Sequence, residues 1–224
     1  MIRLENVSLR YQDGPDVLQD INLELEEGSF HFLSGPSGAG KTSLLRLIFL
    51  AHRPSAGRVF LLDKDVSQMP RKQLALMRRQ LGVVFQDFRL IDHLSVYDNV
   101  TLPLRIAGVR EANYRANAIE LLEWVGLGHQ LKAHPATLSG GEQQRAAIAR
   151  SVITRPQIII ADEPTGNVDP DMGLRLIRLF SELNKMGTTL LIATHDAQLW
   201  QHFPHPRLHL ENHHISMFGA GGIQ

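Results

Sequence analysis

The chain has 224 residues, 43% of them hydrophobic, enough for one or two domains with a packed core. Its 23 basic residues balance 23 acidic ones, which disfavours wholesale nucleic-acid binding. Cysteine is absent, excluding disulfide frameworks and thiol chemistry, and no apolar run approaches the roughly 20 residues that cross a bilayer.

The N-terminal MIRLENV alternates like a strand and carries no signal-peptide apolar region. Any action at a membrane would then need another chain. Residues 1–34 read as short strands, with Ile2, Leu4, Val7 and Leu9, then Leu18, Ile21, Leu23 and Leu25, set among polar neighbours. Residues 30–34 form a strand running into a glycine-rich loop, and 42–51 a helix with Leu44, Leu45, Ile48 and Phe49 on one side. A strand is expected at 58–62. Pro70 opens a helix that buries Leu74, Met77 and Leu81, and 83–85 is a short strand. From about 88 to 150 the pattern turns helical, with Tyr114, Ala118, Leu121, Leu122 and Val125 at helical spacing and Gly126 as a stop. The apolar run 158–161 predicts a strand buried on both faces. Asp169-Pro170 predicts a helix start whose inner face carries Leu176, Phe180 and Leu183, with Gly187 ending it. A buried strand at 189–193 and a final hairpin at 207–218 follow.

Three motifs carry chemistry. Gly35, Pro36, Ser37, Gly38, Ala39, Gly40, Lys41 and Thr42 fit G-x-x-x-x-G-K-[ST] between a predicted strand and a predicted helix. Such a loop wraps phosphates with backbone N–H groups, helped by the helix N-terminus. Lys41 is expected at the β- and γ-phosphates, Thr42 on Mg²⁺ and Ser43 near the α-phosphate. Asp162-Glu163 ends the strand at 158–161, where Asp162 can hold Mg²⁺ and Glu163 can act as general base. In LSGGEQQR, residues 138–145, Ser139, Gly140 and Gly141 precede a helix expected to begin near Glu142. Their N–H groups and the Ser139 hydroxyl are expected to be free, forming a second anion site.

LSGGEQQR lying between a phosphate loop and an Asp-Glu-Pro segment resembles the nucleotide-binding subunits of ABC transporter-type ATPases. The resemblance covers essentially the whole chain. It implies an α/β P-loop core (1–87 and 151–224) with an N-terminal antiparallel β subdomain and an inserted α-helical subdomain (about 88–150). It implies ATP and Mg²⁺ as ligands and hydrolysis to ADP and phosphate, with Lys41, Glu163 and His195 catalytic. Tyr11 would stack on adenine, Gln86 would join Thr42 and Asp162 on the metal, and His195 would touch the γ-phosphate. Ser139, Gly140, Gly141, Glu142 and Asp169, the last in the Asn167-Val168-Asp169 loop, would act in trans from a second copy, giving a homodimer in the ATP state. Thr42-Ser43 reverses the commoner order of hydroxyls and Val168 replaces the usual Leu; neither removes a needed group.

Residues 85–90 (FQDFRL), 96–100 (VYDNV) with Pro103-Leu104, and 161–167 (ADEPTGN) are most similar to the cell-division branch of that family. This implies a peripheral subunit on the cytoplasmic face of the bacterial inner membrane. It would drive an integral membrane partner, met through residues about 86–104 with Phe88, Arg89, Ile91 and His93 as contacts, to regulate septal peptidoglycan hydrolysis. The resemblance also allows contact with division-ring proteins. Lipoprotein-release and macrolide-efflux systems are the alternative branch. A GTPase is disfavoured because Asn184-Lys185-Met186-Gly187 lacks the aspartate of N-K-x-D. The histidines at 202, 205, 209, 213 and 214 are expected on a solvated surface, since Pro204 and Pro206 break helical pairing.

Overall fold

The computed structural model describes residues 1–12 and 14–219. Alternation at the N-terminus produces an antiparallel sheet. β1 (Ile2–Arg10) buries Ile2, Leu4, Val7 and Leu9 and pairs with β2 (Asp16–Leu25) and β4 (Ala56–Leu61). The two-residue β5 (Lys64–Asp65) extends it, giving the order β2-β1-β4-β5.

A second, six-stranded sheet has the order β10-β9-β3-β8-β7-β6. In it β3 (Phe30–Ser34), β6 (Leu81–Val84), β7 (Ile158–Asp162), β8 (Thr189–Ala193) and β9 (Arg207–Glu211) run parallel, with β10 (His214–Phe218) antiparallel at one edge. The period of two divides its side chains between two cores. Ile158 and Ile160 of β7 pack with the N-terminal sheet and α1 (Lys41–Ile48), while Ile159 and Ala161 pack with Leu176, Ile177 and Phe180 of α6 (Pro170–Lys185). A third cluster joins α3 (Val96–Ile106), α4 (Arg115–Trp124) and one face of α5 (Gly140–Val152) through Val96, Val100, Leu122, Val125, Ala146 and Ala149. Ile148 and Val152 of α5 belong to the sheet core instead, so α5 spans both bodies. The fold is thus an α/β core with an antiparallel β layer and a helical lobe. The remaining helices are α2 (Arg71–Arg78) and α7 (Ala197–His202).

Several boundaries differ from the sequence reading. α1 ends at Ile48, because Leu50 takes a left-handed φ of 64°. α2 stops at Arg78, so Leu81 opens β6 rather than lining a helix, and that strand covers 81–84 in place of 83–85. α5 begins at Gly140, two residues early, because Ser139 caps it. The histidine-rich end is not uniformly solvated. His205 stacks on Phe30 with ring centroids 4.0 Å apart, and His209 Nδ1 lies 3.0 Å from Ser34 Oγ, whereas His202, His213 and His214 are exposed. β9 pairs with β3, which draws those two rings against the sheet.

The adjacent parallel strands β3, β8 and β7 end at Ser34, Ala193 and Asp162, so the segments that follow them emerge along one edge of the sheet. Gly35 turns the chain there at φ 147°, and a Cβ on it would lie 2.1 Å from the Leu210 carbonyl oxygen. Gly35→Ala is therefore expected to lower the thermal unfolding midpoint by about 5 °C or more; an unchanged melt would refute this packing.

Candidate active site

The phosphate loop runs from β3 into α1. That helix starts behind Gly40 with no side-chain cap and no acidic residue in its first turn, so its N–H groups and positive dipole end are left for an anion. Lys41 Nζ donates to the carbonyls of Gly35 (2.7 Å) and Pro36 (3.0 Å), which hold the ammonium over the loop. Tyr11, just past β1, donates its hydroxyl to Ser43 Oγ at 3.0 Å. A cleft of about 580 Å³ brings together Tyr11, Gly35, Ser37, Gly38, Gly40, Lys41, Thr42, Ser43, Gln86, Asp162, Glu163 and His195. Pro36 and Ala39 belong to the loop without lining that cleft.

Asp162 closes β7. Its Oδ2 accepts a hydrogen bond from the Thr42 hydroxyl at 2.8 Å, tying loop to strand across 120 positions. Burial pushes the Asp162 carboxyl up from the usual carboxylate range and the Glu163 charge adds to this, while the Thr42 hydrogen bond and the charges of Lys41 and Arg46 oppose it. A carboxylate so placed lacks a nearby positive charge of sufficient weight. A divalent cation fits this donor set. Mg²⁺ takes one or two carboxylates and draws its other ligands from water and phosphate, and among the described residues no cluster of three acidic, His or Cys side chains offers a fuller cage. Glu163 sits in the left-handed region at φ 49°, an unusual conformation for a non-glycine residue. Its N–H donates to the Ala193 carbonyl, and its Oε1 lies 2.9 Å from His195 Nδ1. His195, expected over the γ-phosphate, is thus placed beside the candidate base.

Two polar side chains of α5 escaped the sequence reading. Arg150 donates to the carbonyls of Phe88 (2.7 Å) and Arg89 (2.6 Å), two consecutive non-glycine residues at φ 57° and 49°. It thereby holds the turn that follows Gln86. Gln144, fully buried, donates to the Pro164 carbonyl at 2.9 Å, directly after Glu163, and its Oε1 has no partner. The available signal was a polar residue on the buried face of a predicted helix, which a motif reading passes over.

The expectation of a free Ser139 hydroxyl is corrected. Ser139 and Glu142 form a capping box: Ser139 N–H and Oγ–H both donate to Glu142 Oε2 at 2.8 Å, and Glu142 N–H donates to Ser139 Oγ at 3.3 Å. These bonds hold the Glu142 carboxyl below its ordinary range. The S-x-x-E spacing carried this information. Gly141 packs closely, a Cβ there lying 3.1 Å from the Asn167 carbonyl, but around Gly140 nothing lies within 4 Å. Its own fold does not require glycine at 140, although glycine costs a helix about 1 kcal/mol. Asp169 caps α6 by accepting from Met172 N–H at 2.9 Å.

The chain is similar to known proteins along nearly its whole length. The family model described as ABC transporter matches residues 18–166. The "Cell division ATP-binding protein FtsE" of Escherichia coli strain K12 is 42% identical over 215 residues, 96% of this chain and 97% of that protein. The protein so named in Bacillus subtilis strain 168 is 38% identical over 199 residues, 89% of this chain and 87% of its own. The solved dimer of the ATP-binding cassette MJ0796 in a post-hydrolysis state, bound to ADP and Pi, matches with a TM-score of 0.93 and 32% identity over all of both chains.

Because the raised Asp162 carboxyl opposes folding when ionised, the nucleotide-free protein should gain stability as pH falls through its elevated pKa. Asp162→Asn, which keeps an oxygen for Thr42, is expected to melt above the wild type at pH 7.5 when nucleotide-free, and to lack the upward shift expected of the wild type on adding Mg-ATP. A nucleotide-free Asp162→Asn protein melting well below wild type would contradict the assignment.

Proposed function

This chain belongs to the ABC transporter family and is an ATP-hydrolysing subunit of the kind that dimerises, and we propose that it drives a membrane partner of the FtsX type in bacterial cell division. The observation that carries the reading is near-full-length similarity to the FtsE proteins, coupled to a cleft that gathers the expected cis residues other than Pro36 and Ala39. The same similarity supports the cell-division branch over lipoprotein release or macrolide efflux.

In this reading the triphosphate lies along residues 35–43, with its charge facing the uncapped start of α1. Lys41 exchanges its loop carbonyls for β- and γ-phosphate oxygens, an exchange its flexible stem permits. Thr42, Asp162 and Gln86 would hold Mg²⁺, whose chemical contribution is to neutralise charge on the phosphate oxygens. Glu163 polarises the attacking water, and His195, bonded to it at 2.9 Å, fixes the carboxylate's orientation and faces the γ-phosphate. No covalent intermediate is needed; positioning and charge stabilisation suffice.

The second half of the site comes from another copy. The open space at Gly140 supports close approach of a foreign phosphate to the start of α5. Ser139 would then turn its hydroxyl from Glu142 toward that phosphate, while Asp169 and its loop meet the facing chain. ATP so clasped draws the copies together, and hydrolysis releases them. We take 1–87 with 151–224 as one moving body and about 88–150 as the other, hinged where Arg150 grips the turn at 88–89.

The stroke needs a receiver. A groove of about 730 Å³ beside that turn is lined by Phe49, Phe85, Leu102, Pro103, Ile106 and Val109, together with Arg79 and Arg150. It lies next to Phe88, Arg89, Ile91 and His93 in sequence and extends the proposed contact beyond residue 104. No helix among the described residues is long and apolar enough to cross a membrane; the placement we propose, from the similarity to FtsE, is peripheral, on the cytoplasmic face of the inner membrane.

Glu163→Gln should slow steady-state turnover about 10²- to 10⁴-fold while ATP binding and ATP-dependent dimerisation, followed by light scattering, persist; turnover near wild type would remove Glu163 as the base. Arg89→Glu combined with Phe88→Asp and Ile91→Asp should abolish co-purification with an FtsX-type partner and leave nucleotide binding intact. Retained co-purification would place the contact elsewhere.

A further inference from the structure

Tyr11 is held at two points. Its hydroxyl donates to Ser43, and its ring meets that of His52 at right angles, with centroids 5.2 Å apart and planes inclined by 86°. Tyr11 lines the nucleotide cleft and His52 does not; His52 lines a separate recess with Leu50, Arg53 and Pro54. The imidazole therefore touches the tyrosine from outside the cleft and leaves the cleft side of Tyr11 clear.

His52 is itself fixed. Its N–H donates to the Arg46 carbonyl at 3.2 Å, and that of Ala51 donates to the same carbonyl at 2.8 Å. The residue is thus anchored to the last turn of the helix whose first turn faces the phosphates. Burial and the Arg46 charge lower the His52 pKa, which favours the neutral ring, the form that packs without a charge to desolvate. Tyr11, by contrast, is 36% exposed and lies between two strands, beside Gln12 at φ 53°. A large aromatic on such a segment keeps one orientation only if something outside it supplies the contact.

We propose that His52 is a positioning residue for nucleotide-base recognition: it buttresses Tyr11 in the orientation that stacks on adenine and so raises affinity through the base, not the phosphates. This rests on the reading of Tyr11 as the adenine platform. An edge-on aromatic contact is worth about a 2- to 10-fold change in affinity. Phenylalanine reproduces that contact without hydrogen-bonding capacity; alanine removes it.

The test uses the full chain and two probes, Mg-ADP, which carries the base, and inorganic tripolyphosphate, which does not. His52→Ala should weaken Mg-ADP binding and raise KM for ATP about 2- to 10-fold, with kcat and tripolyphosphate affinity unchanged, and His52→Phe should restore wild-type values. Two results would overturn the proposal: Mg-ADP affinity unchanged in His52→Ala while Tyr11→Ala weakens it, or ADP and tripolyphosphate weakened in parallel. If Tyr11→Ala leaves Mg-ADP affinity unchanged, the platform reading fails first and the buttress falls with it.

Discussion

Asp162 ends a strand whose other four residues are fully buried, and its carboxylate accepts a hydrogen bond from Thr42 at the opposite side of the cleft. An ionised carboxylate in that position is costly, and burial raises its pKa accordingly. The hydrogen bond offsets part of the cost and fixes the distance between the phosphate loop and the strand end. The remainder is a standing demand for positive charge. In the proposed function that demand is met only with nucleotide and cation together, which links the stability of the site to its loading.

Strain is distributed around the same centre. Glu163, Phe88 and Arg89 all occupy the left-handed region without being glycine. Each such residue costs about 1–2 kcal/mol, and each hydrogen bond from a charged donor returns about 1.5–3 kcal/mol. Arg150, with one bond to each of the Phe88 and Arg89 carbonyls, is therefore matched to the turn it holds rather than greatly in excess of it. In the proposed function this turn is where a ligand at Gln86 or a partner in the neighbouring groove would act. Gln144 donates likewise to the Pro164 carbonyl, and its Oε1 is left without a partner.

Both contacts come from α5, the helix capped by Ser139. One helix thus carries the segment proposed to act on the facing chain, the clamp on the turn after Gln86 and the tie to the turn after Glu163. Its N-terminus is dressed by Glu142 within the single chain. The capping box satisfies donors at this helix start, and in the proposed function engagement of a second copy would be an exchange of one anion for another.

Much was legible in the residues alone. The strand-loop-helix context of 35–42, the apolar run ending in Asp162 and the proline-started helix at 170 are local patterns, and local patterns follow from backbone sterics, hydrophobic period and capping. Element ends were less so: Leu81 moved from helix to strand and α1 lost its last residues, because single left-handed positions such as Leu50 are decided by what packs around them. The S-x-x-E box at 139–142 was readable from its spacing and was overlooked. What no local pattern could supply was the meeting of distant groups. Thr42 with Asp162, and His205 and His209 with the central sheet, depend on the order β9-β3-β8-β7, while Tyr11 with His52 and Arg150 with the turn at 88–89 join elements outside it. That order is set by which apolar faces cover each other in three dimensions, and burial of that kind leaves no record in residue spacing along the chain.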